Sequence, residues 1–243
     1  MSAGPMWRWP GMAGAAAAVA STAYAHVIAA DAVDPMKGLI SDYALLDTSA
    51  WAMVGGTIML AMGSLWVAYG LARADPARSA APRVLFVAGA LGLLLTAAFP
   101  TDAAPGVTSA VGEIHRWSAA VVFTALPCAG WMMGRRFRNR ALSAVSVLAA
   151  VLLAAFLAAH PGSLTADLIG GPAYYGLIER LLLLSEMALV FLAAQGMDNL
   201  PDSNKRDISP LTDSPLTYAN VGYGSVVSEG EPYARVQSDR AAA

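Results

Sequence analysis

The sequence predicts an all-α polytopic membrane protein: a bundle of six transmembrane helices followed by a disordered C-terminal tail. Three observations carry this. Of 243 residues, 57% are hydrophobic and only 13% charged, with mean hydropathy +0.53. A soluble domain carries about 25% charge, so this chain lacks the surface that water requires and lipid must cover much of it. Its apolar residues fall into six runs, each of about 20 residues, near the length that crosses a bilayer core. Its cations are also unevenly shared among the connecting segments, as a multi-pass protein requires.

Residues 1–10 are read as a cytoplasmic N-terminus, with Arg8 between Trp7 and Trp9 at the membrane interface. The six-helix domain is predicted over 11–196. The first span, 11–30, is Ala-rich. Ala23-Tyr24-Ala25 has the form of a signal-peptidase site, but apolar residues continue to Val33, which favours an uncleaved span. The second span, 50–72, carries Gly56, Gly63 and Gly70 at seven-residue intervals, a small-residue face for close helix packing. The third, 84–99, ends at Pro100, and the fourth, 117–133, contains Pro127, which predicts a kink. The fifth, 141–159, ends at His160-Pro161-Gly162, and the sixth covers 176–195. Residues 197–243 are rich in Ser, Asp, Pro and Gly and lack helical periodicity, so they predict a disordered cytoplasmic tail. The tail repeats Ser-Pro-Leu-Thr at 209–212 and 214–217, and it is the segment through which other membrane proteins would bind.

Twelve of the fifteen Lys and Arg lie in the N-terminus, the second and fourth loops and the tail; Lys37, Arg116 and Arg180 are the exceptions. The positive-inside rule then puts both termini in the cytoplasm of a cell-membrane protein. Arg135, Arg136, Arg138 and Arg140 form a basic turn of topogenic character. The net charge of -2 gives no case for nucleic acid, and membrane lipids are the expected partners. The lone Cys128 rules out an internal disulfide and reads as a buried thiol.

In this topology His26, His115 and His160 all fall on the outer side, as do Asp102 and Glu179. These five residues form the candidate outer polar pocket. Asp102 and His115 flank one short loop, and Glu179 opens the sixth span. Histidine with carboxylate suits a divalent metal such as zinc, for which Asp102, His115 and His160 are the candidate ligands. No H-E-x-x-H spacing fixes such a site, and no cofactor is certain. Glu186 is an intramembrane acid, two helical turns beyond Glu179 on the same face. An ionisable group at that depth is expensive and faces the bundle interior.

The residues Ile40-Ser41, Phe99-Pro100-Thr101-Asp102, Gly112-x-x-His115, Pro127 and Gly176-x-x-Glu179-Arg180 together give a pattern over about 11–196. That pattern resembles a bacterial six-helix membrane family called domain of unknown function 998. The resemblance implies a six-helix bundle and no assigned reaction. It also implies an acid after the histidine of span four, where this chain has Arg116. Two functional classes follow. One is a small transporter, lipid-handling or assembly component that uses the outer pocket. The other is a membrane-embedded metal-dependent hydrolase using His115, His160 and Asp102.

Overall fold

The computed structural model describes residues 8–76, 78–103 and 108–197, and among them all regular structure is helical. Six long helices follow in order: α1 (Arg8–Ile28), α2 (Ala50–Ala74), α3 (Ala80–Ala98), α4 (Ala110–Arg136), α5 (Arg140–Ala159) and α6 (Tyr175–Gly196). Short 3₁₀ turns interrupt the α1–α2 and α5–α6 connections, at Ile40–Leu45 and Gly171–Ala173. The predicted tail and its repeat lie outside the described residues.

Five helices are long and apolar enough to cross a membrane. α6 has 22 residues but carries Glu179, Arg180 and Glu186. It packs against α1, α2, α4 and α5, so its two acids are buried by protein. The large apolar side chains left exposed on the other helices, such as Val84, Trp117, Val151 and Leu157, are what a lipid-covered surface requires. The chain is thus an integral membrane bundle of six helices.

Helix starts are set by caps, and several precede the apolar runs. α4 begins at Ala110, seven residues before the expected 117, because Ser109 caps it: its hydroxyl accepts from the Gly112 N–H at 3.0 Å. His115 is therefore inside α4 and does not precede it. α3 starts at Ala80 and accommodates Pro82 in its first turn, where a missing N–H costs nothing. Asn139 caps α5, accepting from the Leu142 N–H at 3.1 Å. α4 runs through Pro127 without a break. Cys128, read as buried, is exposed on the outer face of α4; residues 127 and 129, on either side of it, hold the buried positions.

Consecutive helices pack as neighbours, and α6 closes the ring onto α1. The α1–α2 seam is built from small residues. A β-carbon on Gly14 would stand 2.4 Å from the Met59 carbonyl oxygen, and one on Gly63 would stand 3.1 Å from that of Gly11. Gly56 meets Ser21 of α1 in the same way. The helices alternate in direction, so the connections gather at two ends. One end carries the α2–α3 and α4–α5 turns; there Arg136 pairs with Asp75 and donates to the Arg78 carbonyl. The other carries His26, His115 and His160. These are called the arginine end and the histidine end.

Candidate functional site

The histidine end is organised by the first two turns of α6. Gly176 packs directly on the α1–α2 loop: its N–H and that of Leu177 both donate to the Met36 carbonyl, at 2.9 and 3.2 Å. A β-carbon at Gly176 would lie 2.1 Å from the Gly38 oxygen, so only glycine allows this approach. Arg180, one turn on, donates to the carbonyls of Gly38 (2.6 Å) and Gly176 (2.9 Å) and to the Tyr43 hydroxyl (3.1 Å). The Tyr43 oxygen accepts there, so its proton is free to go to His26 Nδ1 at 2.8 Å. His26 is thereby linked through Tyr43 to α6. Burial raises the Asp42 carboxyl above the ordinary aspartate range, offset in part by the Leu39 N–H and by Arg180.

Glu179 is buried and points between these elements. Its Oε2 accepts from the Ile40 N–H at 2.5 Å, tying α6 to the 3₁₀ turn. Its other oxygen has no hydrogen-bond partner among the described residues. Glu179 also lines a partly open cavity of about 90 Å³ bordered by α1, α2, α3, α4, α6 and that turn. Leu60, Leu93, Phe123, Leu183 and Met187 belong to its apolar wall. Its polar groups are Glu179, His115, Ser41, Thr22, Thr57 and Thr96.

His115 reaches this cavity from α4. Its Nδ1 stands 2.8 Å from the Phe99 carbonyl, which can only accept, so Nδ1 carries the proton. Nε2 of the neutral ring is then an acceptor with no partner among the described residues.

Asp102 does a different job. Its carboxylate accepts from the Ser109 hydroxyl at 2.6 Å and from the Ser109 N–H at 3.3 Å, and it pairs with Arg116 at 3.4 Å. It lies so close to Gly112 that a β-carbon there would fall 2.0 Å from Oδ2. Asp102 therefore supports the cap of α4, which sets where His115 points, and it does not line the cavity. Arg116, at the position where the family resemblance implies an acid, pairs with Asp102 and with Glu113.

His160 is exposed, accepts from the Gly162 N–H in its own turn at 3.0 Å, and stands edge-on to Tyr175. It too is outside the cavity lining. Asp102, His115 and His160 thus hold three separate sets of partners. Among the described residues no group of three or more His, Cys, Asp or Glu is placed to hold a metal ion. Glu186 is fully buried, about 10 Å deeper than Glu179 at 1.5 Å per residue. Neither of its carboxylate oxygens has a partner among the described residues.

The sequence reading did not single out Thr22, Thr57 and Thr96. A signal was present: α1, α2 and α3 carry one threonine each, and each lies toward the histidine end.

No curated protein and no solved structure matches the chain. One family model does, over residues 12–196, which take in α2 to α6 and nearly all of α1. The matched stretch includes the two close glycine contacts, Gly112 on Asp102 and Gly176 on Gly38, and with them the motifs that carry the resemblance. The chain belongs to the family described as Protein of unknown function (DUF998).

Proposed function

We propose that this membrane protein is a lipid-handling component whose cavity at the histidine end takes a small amphipathic molecule. One observation carries the reading: an apolar cavity inside the bundle is met by two groups with unused hydrogen-bonding capacity, the second oxygen of Glu179 and Nε2 of His115. Apolar walls with a few convergent polar groups are the usual make-up of a small-molecule site. The α1–α2 loop, which supplies Ile40, Ser41 and Ala44 to the lining, is the element that would move for entry. In this proposal the cation split orients the histidine end outward.

The test uses methyl-labelled methionines. Met53 and Met187 line the cavity, whereas Met62 and Met132 are exposed on the bundle surface. Hexanol titrated into the protein in phosphatidylcholine nanodiscs should shift the Met53 and Met187 methyl signals saturably. Met62 and Met132 should drift only with bulk partition. Ala119→Leu, which fills the cavity from α4, should remove the saturable response. A common unsaturable drift of all four methyls would refute the binding site. Orientation has its own check, in a Cys128→Ser background. A cysteine at exposed Thr108 should react with an impermeant thiol reagent from outside, and one at exposed Arg138 should not; the reverse would turn the protein over.

A further inference from the structure

The cavity's hydrogen-bonding capacity is one-sided. Thr57 spends its hydroxyl proton on the Met53 carbonyl at 2.8 Å, and Thr96 spends its own on the Leu93 carbonyl at 2.8 Å. His115 spends its Nδ1 proton on Phe99. Each bond goes to a backbone carbonyl, which cannot return a proton. What these side chains have left is acceptor capacity: lone pairs on two hydroxyl oxygens and on Nε2. Glu179 adds a carboxylate oxygen, and its Oε2 already has the Ile40 N–H. Arg180, the nearest cation along α6, points its guanidinium at Gly38, Gly176 and Tyr43, and it is absent from the cavity lining. The Thr22 and Ser41 hydroxyls, which also line the cavity, have no hydrogen-bond partner among the described residues and can act either way.

We infer that the cavity selects an organic ammonium: a small amine with its N–H donors on Glu179, His115 and the threonines, and its apolar chain among Leu60, Leu93, Phe123 and Met187. A protonated amine has donors and no acceptor, the complement of this lining. A carboxylate or phosphate head would meet mostly lone pairs and few donors. A bare metal ion would leave the apolar walls unused and lacks a third close ligand among the described acids and histidines. The acceptors are anchored by their own backbone bonds, so they are oriented before a ligand arrives. This assignment rests on the cavity being a binding site and adds the chemistry of its ligand.

The experiment compares three probes of equal chain length, hexylammonium, hexanol and hexanoate, on the full chain in phosphatidylcholine nanodiscs, read at the Met53 and Met187 methyls. Hexylammonium should bind at least about tenfold tighter than hexanoate, the ratio one charge-assisted hydrogen bond provides. Glu179→Gln retains an oxygen for the Ile40 N–H and should weaken hexylammonium about tenfold more than it weakens hexanol. Thr57→Val is a second variant that leaves the loop contacts alone. It should weaken hexylammonium by about tenfold, the size of one hydrogen bond from a charged donor. Saturable hexanol binding with no preference for the ammonium would overturn the ligand class and leave the binding site standing. Tight hexylammonium binding that neither variant weakens would place the cation elsewhere and overturn it too. If none of the three saturates, both readings fall.

Discussion

Toward the arginine end the helices meet backbone to backbone, through Gly11, Gly14 and Gly63, and an ion pair joins Arg136 to Asp75. At the histidine end a loop is fastened to a helix by side chains: Glu179 to Ile40, Arg180 to Gly38 and Tyr43, Tyr43 to His26. The two arrangements respond differently to disturbance. A glycine contact cannot lengthen without separating two whole helices. A set of side-chain bonds can open and leave the helices in place. The bundle's cohesion therefore sits along the α1–α2 seam, and its capacity for local opening sits beside the cavity.

The largest effect should come from breaking the seam. In Gly14→Leu the new β-carbon would stand 2.4 Å from the Met59 oxygen, and that oxygen belongs to a helix backbone. The cost should reach or pass the upper end of the roughly 1–3 kcal/mol typical of overpacking. Thermal unfolding in detergent should show a large loss, with α1 detached as judged by proteolysis between α1 and α2. A melting temperature within a few degrees of the parent would show that the seam is not where cohesion lies.

A matched pair of arginines sharpens the contrast between the ends. Arg180→Met removes three hydrogen bonds from a half-buried cation and should cost about 2 kcal/mol. The loop at 31–49 should become protease-sensitive while the helices persist. Arg136→Ala removes one ion pair and one bond to the Arg78 carbonyl, fewer contacts than Arg180 makes, so it should cost less, about 1 kcal/mol. Equal losses in the two variants, or an Arg180→Met protein with its loop still protected, would erase the distinction.

Much of this was legible in the sequence, and the losses have identifiable causes. The apolar runs pointed to all six helices, five of them apolar enough to cross a membrane and the sixth, α6, interrupted by Glu179, Arg180 and Glu186. They misplaced the start of α4 because helix starts are set by caps: Ser109 and Asp102 extend α4 well before the apolar run. That shift turned His115 from a loop residue into a helical one aimed at the cavity. The glycines of the motifs were visible, but their reason was not. Gly112 answers to a carboxylate ten residues earlier, and Gly176 to a carbonyl contributed by the loop after α1. Thr57 and Thr96 were overlooked because a hydroxyl bonded to its own helix costs little in a membrane, so it leaves little trace in hydropathy. Their convergence is a property of packing between helices.

The smallest effect expected is also the one that tests how tightly the loop is closed over the histidine end. Asp42 lies in the 3₁₀ turn, accepts from the Leu39 N–H at 2.8 Å, and is lifted above the ordinary aspartate range chiefly by burial. The sign follows from proton counting. A carboxyl that titrates higher when folded holds its proton more tightly in the native state than in the unfolded one. Stability then falls as pH rises from the unfolded value, about pH 4, through the raised folded one. The Leu39 N–H and Arg180 act against this shift and keep it modest. Asp42→Asn keeps an oxygen for Leu39 and cannot ionise. The difference in stability between variant and parent should therefore favour the variant increasingly as pH rises through that window and stay level at neutral pH. Unfolding measured in detergent across the window would show it. A parent that gains stability over the variant with rising pH would mean that Asp42 is better served as an anion, with Arg180 nearer to it than to Gly38. The loop would then be held by charge more than by burial, and the contrast between the two ends would narrow.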